Sequence, residues 1–269
     1  MNANSTITAE GVRSLQELLA GRGRYAIITH FNPDGDAVGS SLGLMHALRN
    51  MGHAVDVVFP NTPPHFLHWM PGYAGTISFD QRPEEAEGLV RNADAVFCLD
   101  FNRADRVGGL SEALLAARDR VLIDHHQDPD DLARWTFSDT SACSTAQMVH
   151  DIVVALGAAD HIDRNVALCL YTGIMTDTGS FRFGSTTAHT HRVVASLMEK
   201  GVRAEQVYEA VMDDSSEQRL RLLGFVLSER MEVLHEQATA ILAVSQQDLD
   251  DKGIRPGDTE GFVNYGLSM

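Results

Sequence analysis

Three short apolar runs in this chain end on carboxylate or imidazole side chains. RYAIITH at 24–30 ends on His30, DAVFCLD at 94–100 on Asp100, and RVLIDHH at 120–126 on Asp124, His125 and His126. Between the first two lies AVGSSLGLMHALRN at 37–50, where Val38, Leu42, Met45 and Leu48 recur at helical spacing and Gly52 supplies a stop. AVDVVFP at 54–60 then reads as another buried strand. Strand, helix, strand in that order predicts a parallel α/β unit, because parallel strands need a crossover long enough to hold a helix. In open α/β sheets, ligands gather beyond the carboxyl ends of the strands. The expected fold is therefore α/β: a parallel-sheet domain with helices on both faces and a site at the strand ends.

The rest of the chain extends this pattern. Residues 11–20 suit an opening helix, and SEALLAARD precedes the RVLIDHH run. TAQMVHDIVVALG at 145–157 is helical, with Thr145 or Ser144 as its cap. Residues 163–176 form a further, mainly apolar helix leading into DTGSFRF at 177–183, and THRVVASLMEKG closes at Gly201. Residues 205–231 read as helical, and ATAILAVS at 238–245 as a strand of a second unit. The expected division is a catalytic metal-binding domain over 1–195, a helical connector over 196–214, and a smaller, incomplete C-terminal α/β domain for substrate over 215–269. A 269-residue chain accommodates one large or two modest domains.

Composition bounds the partners. Asp and Glu outnumber Lys and Arg by 37 to 21, for a formal net charge of −16. Such a balance opposes a broad surface for long duplex nucleic acid, although bound divalent cations invert the potential of an acidic pocket. No run approaches the ~18 apolar residues of a membrane span. The first ten residues lack the basic and apolar regions of a secretory signal. The three cysteines, Cys98, Cys143 and Cys169, are odd in number, and Cys98 and Cys169 sit in apolar runs. Free thiols in a reducing, cytoplasmic setting are expected.

The chemistry concentrates in HFNPDGD at 30–36 and DHH at 124–126. His30, Asp34 and Asp36 come from one strand-to-helix turn punctuated by Pro33 and Gly35, the glycine being expected to take backbone angles that other residues resist. Hard oxygen ligands with imidazole suit Mn²⁺, Mg²⁺, Zn²⁺ or Fe²⁺, and the absence of a CxxC pair argues against a structural zinc–thiolate site. Asp100 is placed to bridge two cations, which in two-metal sites lie ~3.5–4 Å apart. Adjacent side chains of an extended segment point to opposite faces, so one histidine of the DHH triplet can ligate while the next faces substrate and Asp124 orients one of them. Asp177 is placed to complete the second cation's shell. Taken singly, each of these residues has a structural reading as a cap, a turn or a core polar group; together at successive strand ends they read as a metal centre. Arg182, Phe181 and His189 are candidate substrate contacts. The chain has no GxGxxG after its first strand, no GxxxxGK[ST] and no GxSxG, so dinucleotide redox, P-loop and serine-nucleophile chemistries lack their motifs.

HFNPDGD, the strand-ending Asp100, DHH at 124–126 and DTG at 177–179 resemble the four motifs of the DHH phosphoesterase family. Within it the chain resembles the bacterial short-oligoribonuclease and 3′-phosphoadenosine 5′-phosphate phosphatase type, and TEGFVNYGLS at 259–268 is similar to that type's second-domain segment. The resemblance implies two Mn²⁺ ions, with Mg²⁺ or another divalent ion as substitutes. It implies His30, Asp34 and Asp100 at one ion, and Asp36, Asp100, His125 and Asp177 at the other. It further implies that His126 contacts the scissile phosphate or assists proton transfer, and that Asp124 orients a neighbouring histidine. The implied activity is hydrolysis of short RNA from an exposed end, and of the 3′-phosphate of 3′-phosphoadenosine 5′-phosphate, without a covalent enzyme intermediate. Short RNA or a small phosphorylated nucleotide is the expected partner; long duplex nucleic acid and membranes are not, and a homodimer is admitted. Alternatives are a phosphodiesterase for cyclic or linear dinucleotides, or a non-enzymatic metal-binding remnant. The chain departs from the family pattern in having no glycine-rich GGGH-type segment before Met269.

Overall fold

An apolar run becomes a central strand only if both its faces can be covered, and in this protein the covering is done by helices. The computed structural model describes residues 7–213, 216–254, 258–259 and 261–269. It divides into two units: residues up to Pro63 with Leu67–Val207, and Pro64–Phe66 with Tyr208–Met269.

The first unit is built on strands β1 (Arg24–Ile28), β2 (Ala54–Phe59), β3 (Ile77–Ser78), β4 (Ala95–Leu99), β5 (Arg120–Asp124) and β6 (Trp135–Ser138). They lie in the order β3-β2-β1-β4-β5-β6 with every pairing parallel. Ile28 of β1 stands beside Val58 of β2 and Cys98 of β4, and Leu99 stands beside Ile123, so the carboxyl ends of the central strands are level. After β3 the chain crosses back over β1 to continue on its other side. The strand order thus reverses between β1 and β4, and this is the switch point at which such sheets open a crevice. His30 follows β1 and Asp100 follows β4, so the topology places both at that crevice.

On one face, Ala26, Ile28, Val58, Val96, Cys98 and Leu122 pack against Ala86 and Val90 of α3 (Pro83–Arg91), Leu110, and Ala113 and Leu114 of α4 (Ser111–Ala116). The alternate residues, including Tyr25 and Phe97 in edge-to-face contact at 5.6 Å, point to the opposite face. That face is covered by α2 (Gly35–Asn50), with α5 (Thr145–Ala155) against β5 and α6 (Arg164–Asp177) against α2. Helix α1 (Ala9–Leu18) lies beside β6, and α7 (Ala188–Glu199) packs on α5 and α6. α2 is buried nearly all round up to Leu48, so small residues, Ser40, Ser41, Gly39 and Gly43, occupy much of its middle.

The second unit contains α9 (Glu217–Phe225) and an antiparallel hairpin of β7 (Met231–Leu234) and β8 (Thr239–Leu242), joined through Ala238 in a left-handed conformation. α8 (Ala204–Met212) carries the division between the units. Leu222, Leu223, Val226 and Phe262 form the second unit's core. The TEGFVNYGLS segment therefore contributes a buried residue, Phe262, although its Glu260 lies outside the described residues. So do the boundary expected at 214–215 and residues 1–6.

In the first unit's sheet and its covering layer, β3, β6 and α3 are not announced by the sequence pattern. β3 has two residues, WTFS of β6 carries no apolar alternation beyond Trp135 and Phe137, and the acidic stretch of α3 hides its buried Ala86 and Val90. The helical reading of 205–231 resolves into α8, α9 and a widened π turn over Val226–Arg230, with β7 starting at Met231. Among the described residues no helix is long and apolar enough to cross a membrane.

α2 and α6 touch backbone to backbone. A Cβ added at Gly39 would lie 2.6 Å from the Cys169 carbonyl oxygen and 2.8 Å from the Gly173 nitrogen. Alanine gains about 1 kcal/mol over glycine in a helix interior through propensity alone. Here the clash is with backbone that cannot turn aside, so Gly39→Ala is expected to destabilise the fold by about 1–3 kcal/mol. Urea unfolding measures this, and a stabilised Gly39→Ala protein would show that the helices have room to part.

Candidate metal centre

Hydrogen bonds fix most of the acidic and imidazole groups at the crevice. Asp34 caps α2, its Oδ1 accepting from the Asp36 and Ala37 amides, both at 3.0 Å. Gly35 begins the helix with ordinary helical angles; its need is steric, since a Cβ there would lie 2.4 Å from Thr176 Oγ1. The left-handed residue of the HFNPDGD turn is instead Asn32, with φ 57°. The His30 Nδ1 donates to the Phe31 carbonyl at 2.9 Å. That turns Nε2 inward, 3.5 Å from Asp100 Oδ2 and 4.0 Å from Asp34 Oδ1.

Asp36 is buried in the first turn of α2, and its carboxylate meets the start of another helix. Oδ2 accepts from the Thr145 amide at 2.7 Å and Oδ1 from the Ala146 amide at 2.9 Å. These are amides of the first turn of α5, which lack partners within their own helix and carry the positive end of its dipole. The hydroxyl of Thr145 donates to Asp100 Oδ1 at 2.8 Å. Thr145 thereby ties Asp36 to Asp100, a role that the sequence did not reveal. The polar loop DTSACST offered two cap candidates. Ser144 takes the cap by accepting from the Gln147 amide, which frees Thr145 to face the acids.

His125 and His126 separate in function as neighbours on an extended segment must. The His125 Nδ1 donates to the Ala142 carbonyl at 3.4 Å, and its Nε2 lies 3.5 Å from Asp100 Oδ1, 3.7 Å from Asp177 Oδ2 and 4.0 Å from Asp36 Oδ2. Asp177 is the last residue of α6, which the α2–α6 packing brings to the site. His126 donates its amide to Asp124 Oδ2 at 3.1 Å and its Nδ1 to Asp124 Oδ1 at 2.7 Å. The buried Asp124 therefore orients His126, leaving Nε2 of a half-exposed ring available.

Among the described residues, three groups each bring potential ligand atoms within 4.8 Å of one another: His30, Asp34 and Asp100; Asp36, His125 and Asp177; and Asp100, His125 and His126. Carboxylate oxygens with imidazole nitrogens are donors that divalent first-row cations and Mg²⁺ accept. The two oxygens of Asp100 face different histidines, Oδ2 toward His30 and Oδ1 toward His125. The donor set fits divalent cations.

The electrostatics of the cluster by itself point the same way. Burial, then the charges of Asp100 and Asp177, push the Asp36 carboxyl well above its usual range. Burial raises Asp177 to about 6 despite the opposing charge of His125. Burial disfavours the charged form of His125, but its hydrogen bond to Asp100 and the charges of Asp36, Asp100 and Asp177 win and raise it to about 10. Burial would likewise raise Asp100, but the hydrogen bonds and charges of His125 and His30 hold it well below the usual carboxylate range. A cluster of this kind retains protons that cations must displace.

Backbone strain gathers at the same place. Asp100 has φ 65°, and Ser180 and Phe181, after the DTG segment, have φ 60° and 66°. Left-handed conformations cost non-glycine residues about 1–2 kcal/mol each and persist where surrounding bonds enforce them. The Thr178 hydroxyl, for example, accepts from the Phe181 amide at 3.0 Å. Three predicted substrate contacts make other interactions. Phe181 packs edge-on to Tyr171, Arg182 donates to the Gly179 carbonyl at 2.8 Å, and His189 pairs with Asp151 at 2.7 Å.

The DHH family, N-terminal domain, matches residues 24–174, more than half of the chain. The chain belongs to the DHH family. The bifunctional oligoribonuclease and PAP phosphatase NrnA of Thermus thermophilus is 34% identical over 220 residues, 81% of this chain and 63% of that protein. The Bacillus subtilis protein of the same name is 23% identical over 87% of this chain and 70% of its own length. This DHH chain thus spans less than two thirds of the Thermus relative. Among solved structures, an exopolyphosphatase-related protein from Bacteroides fragilis superposes with TM-score 0.94 at 34% identity, covering 100% of this chain and 78% of its own.

The hydroxyl of Thr145 is the contact that most cleanly separates the DHH centre from its frame. Thr145→Val keeps both amide bonds to Asp36 and removes only the bond to Asp100. It is expected to weaken divalent-cation binding roughly 10–100-fold, the usual loss for a partner of a metal ligand. Thr145→Ser should recover most of it. Calorimetric titration with Mn²⁺ checks this, and unchanged affinity in the valine variant would remove Thr145 from the site.

Proposed function

We propose that this chain is a metal-dependent phosphoesterase that hydrolyses short RNA oligonucleotides from an exposed end and removes the 3′-phosphate of a small 3′,5′-bisphosphate nucleotide. The observation that carries the reading is Asp100, whose two oxygens face His30 and His125 with the His126 ring beside them. The relatives named for oligoribonuclease and PAP phosphatase activity support the substrate class. We assign catalysis to the first unit and two Mn²⁺ ions to its centre, with His30, Asp34 and Asp100 holding one and Asp36, Asp100, His125 and Asp177 the other. The three free, buried cysteines support a reducing compartment, the cytoplasm.

Bound divalent cations supply Lewis-acid charge for the phosphoryl oxygens and lower the pKa of water. The protein residues do the remaining work. In hydrolysis a water oxygen bonds to phosphorus and releases a proton to solvent, the bond from phosphorus to the leaving ribose oxygen breaks, and that oxygen takes up a proton. His126 is positioned to hold that proton at Nε2, because Asp124 engages Nδ1 and stabilises the charged ring. The amides at the start of α5 hold Asp36 in one orientation throughout, so little reorganisation is needed when charge develops on the phosphoryl oxygens.

Turnover measured with Mn²⁺ on di-, tri- and pentanucleotides, a 3′,5′-bisphosphate nucleotide, a cyclic dinucleotide and pyrophosphate tests the proposal. Cleavage of the linear nucleotides and the bisphosphate is expected; rapid pyrophosphate cleavage with all nucleotides untouched would sink it. In the same assay, Asp100→Ala should abolish hydrolysis together with metal binding, whereas His126→Ala should lower turnover about 10²–10⁴-fold and keep its metal. Equal metal content and near-normal turnover in Asp100→Ala would reject the shared-ligand role, and a large metal loss in His126→Ala would reject the proton-transfer role.

A further inference from the structure

Phe31, the residue after His30, is 51% exposed although it stands at the mouth of a crevice whose other residues are mostly buried. It is also tightly held. Its amide donates to the Arg106 carbonyl at 2.6 Å, and its own carbonyl accepts from His30 Nδ1 at 2.9 Å. The next residue, Asn32, is fixed in its left-handed conformation by Asn61, which accepts from the Asn32 amide at 2.7 Å and donates to its side chain at 3.1 Å. The ring rests on Gly108, where an added Cβ would come within 3.3 Å of it. Gly108 has φ 54° and ψ −128°, angles open essentially to glycine alone. The fold thus backs the ring with a bare backbone, pins the chain on both sides, and leaves half of the aromatic surface to solvent.

An exposed apolar ring has an unfavourable contact with water, and nothing in its own loop requires phenylalanine there. Flat π surfaces recover that cost by stacking on a second flat π surface, and a ring already immobilised loses little entropy in doing so. We propose that Phe31 is the stacking platform for the nucleobase of the nucleotide whose phosphate sits at the metal centre. The inference rests on the nucleotide-hydrolase reading above and adds the feature that recognises the base. Base–aromatic stacking tolerates every base, so this subsite selects nucleotides over other phosphoesters without selecting sequence. The bond from His30 to the Phe31 carbonyl couples the platform to a ligand, so the base and the phosphate are presented by one rigid segment.

The test compares AMP with ribose 5-phosphate as competitive inhibitors of dinucleotide hydrolysis, since the two differ only in the base. The wild-type protein is expected to bind AMP more tightly. Phe31→Ala should lose roughly tenfold in AMP affinity, the loss of one stack, with ribose 5-phosphate and Mn²⁺ affinities unchanged. Phe31→Trp should restore the preference for AMP. Survival of the AMP preference in Phe31→Ala overturns the proposal. So does a parallel loss for ribose 5-phosphate or Mn²⁺, which would mean that the ring acts through His30. If the wild-type protein cleaves no nucleotide and does not distinguish the two inhibitors, the functional reading itself has failed; failure confined to the Phe31 variants is failure of the subsite alone.

Discussion

Asp100 faces two histidines from one buried carboxylate, and the rest of the centre is arranged to make that possible. Its side chain must leave the end of β4 toward the crevice, and the backbone adopts φ 65° to send it there. The Asp100 amide continues the pairing with β5 by donating to the Ile123 carbonyl at 3.2 Å, so the strained residue remains anchored to the sheet. Its Oδ1 accepts from Thr145 while facing His125, and its Oδ2 faces His30. Four chain segments thus converge on one group that is 2% exposed. A carboxylate buried to that degree is stable only when its charge is matched, which is the state that cations or protonated histidines provide.

The glycines of α2 and α6 serve the same end at longer range. Gly39 and Gly173 let the two helices approach closely, and the approach sets the position of Asp36 on one helix relative to Asp177 on the other. A Cβ at Gly173 would lie 2.8 Å from Asp36 Oδ1 and 2.7 Å from the Ala146 side chain. Space that elsewhere would be filled by a methyl group is here taken by the Asp36 carboxylate. The packing of the core and the geometry of the site are therefore one constraint, and the amides of α5 complete it by holding the same carboxylate from the other side.

Second partners decide which ring nitrogen is offered. His30 and His125 each give Nδ1 to a backbone carbonyl and present Nε2 to the acids, whereas His126 gives Nδ1 to Asp124. A backbone carbonyl fixes the ring's orientation without adding charge, whereas Asp124 also favours the charged form of His126. Adjacent residues in the chain are thereby given different chemistry by what lies behind them.

Much of this was legible in the chain. The alternation of apolar runs with helical periodicity announces a parallel sheet, because only covered strands tolerate such runs, and the His and Asp residues at the run ends mark the crevice. The identities of His30, Asp34, Asp36, Asp100, His125 and Asp177 as a group follow from those positions. Thr145 was visible only as a cap candidate, since its partners lie 109 and 45 residues away in sequence. Gly35 was read as a turn residue, but a local pattern cannot report that Thr176 of another helix fills the space beside it. The short β3 and β6 carry too few residues for a period to register. Phe31 belongs to the most informative motif, yet exposure is a property of the packed molecule and not of the residue type. The sequence by itself determined which chemistries the chain can offer and at which strand ends they stand, because periodicity and residue type are local. Only the tertiary structure decided which oxygen faces which nitrogen, which helix end holds Asp36 and which ring stays in solvent, because these depend on segments that meet only when the sheet is assembled.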